Sequence, residues 1–296
     1  MTVSDEDERR QQVLSELRPL LDRVSLPSAA IRVGDGPPVS ATGSFLAGYP
    51  YLPEGASWPM YNGVPMFSVV QINFAEVGPL PGFPTTGVLQ WFVGADSESF
   101  GRTFDETEGK AGFEVRWYPD TSAPSMASPT ALTPWQAVSD RPGVYAPFTP
   151  TEARAVTFTI GRALPQMAEF YVDEEGDLAR LVRELATLNG ERSDCASDLL
   201  RNGWRFHVLG AYSPFDDDDF VSRSSLGGSA DFTQEDPRGH GNYPSIGEPA
   251  GQVLITIDSD VYTRGWGDHG IAHLFGDPTA VARGDLSSVT YYWDCT

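Results

Sequence analysis

The sequence predicts an α+β fold: a β-rich single domain with two similar β-motifs, a pseudo-duplication, and a few flanking helices. The first observation is a near-repeat. Val69–Asn73 (VVQIN) leads through a Pro/Gly-rich loop to Gly87–Val93 (GVLQWFV), and Leu254–Ser259 (LITIDS) leads through DVYTRGWGDH to Gly270–Gly276 (GIAHLFG). The second is the scatter of 30 glycines and 24 prolines as punctuation between short apolar runs, which favours short strands joined by tight turns. The third is a change of hydrophobic period after Ile31, from helical spacing to short extended runs.

The elements follow in chain order. Ser4 with Asp5–Glu8 makes a helix start, because acids suit the positive end of the helix dipole. Val13, Leu14, Leu17, Leu20, Leu21 and Val24 then lie on one helical stripe, which Pro19 kinks or divides. Residues 1–27 are therefore read as a helical segment docking on a domain of residues 28–296. Within that domain AAIRV, SFLAGYPYLP, MFSVVQINF, GVLQWFV and GFEVRWYP read as strands, with the first β-unit at about 44–118. Asp120–Pro134, rich in Ser, Pro and Ala, is a surface connection, and Ala155–Ile160 (AVTFTI) is a further strand.

Asp177–Leu188 has helical spacing with Asn189-Gly190 as a stop, and Ser193–Asp194 can cap a short helix reaching Leu200. The second β-unit spans about 204–296. It opens with Trp204–Leu209, passes through an exposed loop carrying Asp216–Asp219, and continues with Val253–Ile257 and Gly270–Phe275. Asp277–Arg283 reads as a short helix with Pro278 in its first turn, and Val289–Trp293 (VTYYW) as the closing strand. No compositional break separates the β-units, so they are expected to share one core.

Composition excludes more than it assigns. A net charge of −21, with Lys110 the single lysine, opposes phosphate backbones and anionic membrane surfaces. No nucleic-acid or membrane partner is expected; a basic protein partner fits the charge. Cys195 and Cys295 build no disulfide framework, and whether they pair stays open. The acidic N-terminus is unlike a signal peptide, so cytoplasmic residence is expected.

Several segments resemble the bacterial YwqG-like family, a domain family of unknown function. They are Ser44–Pro59 (SFLAGYPYLPEGASWP), Phe67–Val93, Phe232–Arg238 (FTQEDPR), the Asp258–Gly270 run with its WGDHG, and Tyr291–Cys295 (YYWDC). The resemblance runs from about residue 28 to the end. It implies an α+β domain with two similar β-rich motifs, and it brings no established activity and no catalytic residues. One departure from the family pattern is an aspartate-rich insertion between His207–Ala211 and Gly227–Arg238.

Polar residues cluster where the two β-units end. Gln71 and Asn73 close the first apolar strand, in the position that Asp258 and Ser259 occupy in the second unit. With Gln234, Asp236, Arg238, Trp266, Asp268 and His269 they define a candidate cleft. Asp258, Asp260 and Asp268 are oxygen ligands of the kind hard cations take, although their spacing fits no EF-hand loop and aspartates also serve ordinary turns. Trp266 can stack on a ligand or plug the core. His207, His240, His269 and His273 form no HExxH pair, and no GxSxG elbow or phosphate loop occurs. Cys195, flanked by Asp194 and Asp198, is a poor nucleophile because their charge opposes a thiolate.

No cofactor is implied, and no catalytic residue is assigned. Two readings stay open: a non-enzymatic binding module, in one version an antagonist of a basic protein, and a metal-dependent enzyme or metal-binding protein using the Asp258/Asp260/Asp268 loop.

Overall fold

The computed structural model describes residues 25–102, 112–163, 224–259 and 265–296. The expected helices before residue 25 and between 177 and 200, the Trp204–Leu209 strand with His207, the Asp216–Asp219 loop, Cys195 and Asp260 lie outside the described residues. Two compact units are delimited: Met1–Ser28 with Gly161–Val221 and Gly228–Asp231, and Ala29–Ile160 with Ser222–Gly227 and Phe232–Thr296. In the first, Arg162 donates to the hydroxyl and carbonyl of Ser25, and Gly228 N donates to Pro27 O at 2.9 Å. The second holds most of the described structure.

That structure is β-rich. Its strands are β1 (Leu26–Val33), β2 (Phe45–Leu46), β3 (Met60–Tyr61), β4 (Val64–Pro65), β5 (Phe67–Asn73), β6 (Val88–Val93), β7 (Phe113–Tyr118), β8 (Arg154–Ala163), β9 (Ser225–Gly227), β10 (Val253–Asp258), β11 (Ile271–Phe275) and β12 (Thr290–Asp294). Ten of them form one sheet in the order β12-β11-β10-β9-β1-β8-β2-β5-β6-β7, and β3 pairs with β4 as a separate hairpin. The α-helices among the described residues are two short ones, α1 (Phe74–Val77) and α2 (Pro278–Ala282). The β-rich part of the expected fold is thus seen. The long helices behind the α+β label fall on residues outside the description.

Asn73 caps α1 by accepting from Ala75 N, and Gly78 ends it with φ +87°. Asp277 caps α2 through Thr279 N, and Pro278 follows at the first turn, as the sequence predicts.

Antiparallel strands with one wet face alternate apolar and polar residues, whereas β6 (VLQWFV) and β10 (VLITID) are buried at every position. Both faces of the sheet are covered there. On one face of β6, Trp91 stacks on Trp266 with ring centroids 5.9 Å apart and meets Tyr291 edge-on at 5.5 Å. Phe100 joins Trp266 and Trp293 in the same aromatic core. On the other face Phe92 meets Trp58, which in turn meets Tyr49. Across the sheet, β11 and β12 turn His273 and Tyr292 toward Phe232, and Tyr292 toward Tyr243.

Register explains these placements. In the β5/β6 ladder Gln71 faces Gln90; in the β10/β11 ladder Thr256 faces His273. Each ladder has one irregularity at its start, between Ser68 and Val70 and between Val253 and Ile255. The short strand beside each is left by two consecutive residues with left-handed φ: Ala47 (+53°) and Gly48 (+64°), then Gly227 (+63°) and Gly228 (+76°). That conformation turns the chain out of the sheet. The run SFLAGYPYLP is therefore a two-residue strand followed by a covering loop, rather than one longer strand.

Candidate functional site

Gln71 sits inside the protein, with 0% of its surface exposed. Its Oε1 accepts from Tyr51 N at 2.7 Å and from Gln90 Nε2 at 2.9 Å, and its Nε2 donates to Gly43 O at 2.7 Å and Ala41 O at 3.0 Å. Gln90 Nε2 also donates to Tyr51 O at 2.6 Å. This amide pair stitches the Ser40–Tyr51 segment to the sheet, and Gln71 spends its whole hydrogen-bonding capacity there. Asn73, half-buried, caps α1 and donates from Nδ2 to Thr42 O at 2.9 Å.

The second polar cluster gathers around the C-terminal residues. Asp294, 1% exposed, accepts from Thr233 N and, at 2.9 Å, from Gln234 N. The Gln234 side chain donates to Cys295 O at 2.7 Å, and Thr296 N donates to Asp268 O at 3.1 Å, so residues 294–296 link the Gln234 and Asp268 loops. Asp236 and Arg238 form a two-pronged pair at 2.7 and 3.0 Å. Arg238 is 7% exposed; it also donates to Gly251 O and lies over the rings of Phe275 and Phe232.

Asp258 is buried at the end of β10, where its N–H donates to Ser224 Oγ at 2.9 Å. Trp266 is fully buried in the aromatic core, and among the described residues its Nε1 has no hydrogen-bond acceptor. Asp268 and His269 stand in solvent, 3.7 Å apart, with side chains 78% and 81% exposed. None of the hydrogen bonds of Gln71 or Asn73 reaches the Gln234 and Asp268 group. Among the described residues, no group of three or more His, Cys, Asp or Glu side chains is placed to hold a metal ion.

Several residues outside the predicted set complete these networks: Gln90, Tyr51, Asp294 and Arg102. Arg102 donates to Trp293 O at 2.7 Å and lies 4.3 Å from the centre of the Tyr292 ring. Burial pushes the Tyr292 phenol up to about 12, against the smaller downward pull of Arg102, and burial pushes Tyr291 well above its ordinary value. The readable signal was a polar residue inside an apolar run, Gln90 in VLQWFV and His273 in IAHLF; such a residue is paired when buried.

An open cavity of about 440 Å³ lies elsewhere, beside the β2 and β8 strands. Asp35, Glu152 and Arg154 line it together with Pro37, Pro129 and Ala131. No helix among the described residues is long and apolar enough to cross a membrane. No curated protein matched the chain. The family model described as Domain of unknown function (DUF1963) matches residues 44–295, which takes in all the segments that carry the YwqG-like resemblance, and the chain belongs to that family.

Proposed function

We propose that the protein is a non-enzymatic binding module whose acidic exterior receives a basic protein partner. The observation that carries this is an excess of exposed acids over exposed bases among the described residues, where Arg141, Arg162 and Arg283 are the exposed arginines. Arg102, Arg116, Arg162 and Arg238 are each hydrogen-bonded to the protein's own groups. Glu54, Glu98, Asp120, Glu152, Glu235, Glu248, Asp268 and Asp285 are exposed. The chain's net charge of −21 accelerates encounter with a cationic surface. The interior polar groups at the strand ends are occupied in holding loops, which suits a scaffold.

We further infer that the two β-motifs are copies of one unit. Ser44 Oγ accepts from Asn73 N and Ser224 Oγ accepts from Asp258 N, both at 2.9 Å. Phe74 N donates to Gly87 O and Ser259 N to Gly270 O, at 2.9 and 3.1 Å. The matched ladder irregularities and left-handed pairs support the same equivalence, as do Trp58-Pro59 and Tyr243-Pro244 in the covering loops.

The test is retention of partners from a cell extract on the immobilised full chain at roughly 50 and 150 mM salt. A basic protein held at the higher concentration is the expected result. If nothing basic is held there, the reading fails. The metal-dependent alternative gains no support from the described positions of Asp258, buried, and Asp268, exposed.

A further inference from the structure

We propose that the cavity beside β2 and β8 binds a small zwitterion of net positive charge, a basic α-amino acid, free or in a short peptide. This inference is independent of the protein-partner reading. Its volume, about 440 Å³, falls within the roughly 300–1,000 Å³ typical of small-molecule sites.

The walls are stiff. Pro37 and Pro129 line the cavity, and Tyr49 N holds the Pro129 carbonyl at 2.9 Å. Gly48, also in the lining, has φ +64°, and a Cβ there would collide with Ala153 and the Pro129 carbonyl. A site already in shape loses little ordering entropy when a ligand enters.

The charges specify the ligand. Arg154 donates through Nη1 to the main-chain oxygen of Asp35. A guanidinium has five N–H donors, so the rest of its fork is available. Among the described residues no carboxylate pairs with Arg154, in contrast to Arg238 and Arg116, which hold Asp236 and Glu114. The guanidinium therefore offers a seat for a ligand carboxylate. Asp35 and Glu152 in the same lining offer acceptors for cationic groups. Two carboxylates against one guanidinium leave the lining one unit negative. A ligand with one carboxylate and two cations, as in lysine or arginine, balances it group for group. The apolar faces of Pro37, Pro129 and Ala131 suit the aliphatic stem between those charges.

The experiment is titration calorimetry on the full chain with L-arginine, L-lysine and the dipeptide Arg-Ala, and with agmatine and L-glutamate as probes lacking one required feature. L-arginine or L-lysine is expected to bind, with agmatine and L-glutamate at least about tenfold weaker, as loss of a charge-assisted hydrogen bond dictates. Tighter binding of Arg-Ala than of either free amino acid supports the same site in its peptide-binding form. Glu152→Gln, at an exposed position, and Arg154→Met are each expected to weaken binding about tenfold. Arg154→Lys, which keeps the charge, should recover part of the loss. No heat from any of the three cationic zwitterions up to about 10 mM overturns the proposal. So does equal binding of agmatine or L-glutamate, or binding that Glu152→Gln leaves unchanged.

Discussion

At the scale of single residues, the main lesson comes from Gln71. As a polar residue near the end of an apolar strand it reads as cleft-lining. The structure shows it closed into an amide network with Gln90 and Tyr51. Its partners lie 19 to 30 residues away, and no local pattern reveals them. Replacing it with Leu leaves Tyr51 N–H and the carbonyls of Ala41 and Gly43 unpaired in the interior, so Gln71→Leu should destabilise by about 3 kcal/mol, read as a lower urea midpoint. The tyrosines make a second prediction. With Tyr292 held near 12 instead of 10.0, the folded state keeps its proton longer than the unfolded chain does. That stabilisation is complete below pH 10 and is lost as pH climbs toward about 12. Phenolate absorbance should therefore show tyrosines that titrate late, and the unfolding midpoint should fall across the same interval. A full ordinary titration near pH 10.0 without unfolding would contradict it.

At the scale of elements, the strands were legible because unbroken apolar runs such as VLQWFV and LITID are hard to satisfy except in a sheet covered on both faces. α2 was legible from the proline in its first turn. Asp277→Ala should cost about 1 kcal/mol in thermal or chemical unfolding, since Thr279 N then loses its acceptor. The end of β2 was not legible. Ala47 takes φ +53°, which a β-branched or bulky residue resists, yet alanine gives no warning of it in sequence. The covering loops were half-legible: their Trp58-Pro59 and Tyr243-Pro244 pairs are visible once the ladders are aligned, and their aromatic contacts to Phe92 and Tyr292 follow from register.

At the scale of the molecule, charge and sheet order matter most. If the exterior acts as proposed, the association rate with a basic partner should fall steeply with ionic strength, while dissociation changes little. The order β12-β11-β10-β9-β1-β8-β2-β5-β6-β7 was not readable, because strand neighbours are chosen by long-range pairing. That order has a consequence for synthesis. The first of the described strands to leave the ribosome, Leu26–Val33, belongs between Arg154–Ala163 and Ser225–Gly227, whereas β5, β6 and β7 are neighbours both in sequence and in space. A nascent chain can build that meander early, but Leu26–Val33 waits for both its neighbours until Arg154–Ala163 and then Ser225–Gly227 have been made. Protection of Ile31 against exchange should therefore appear among the last events of folding, after the amides of Val88–Val93.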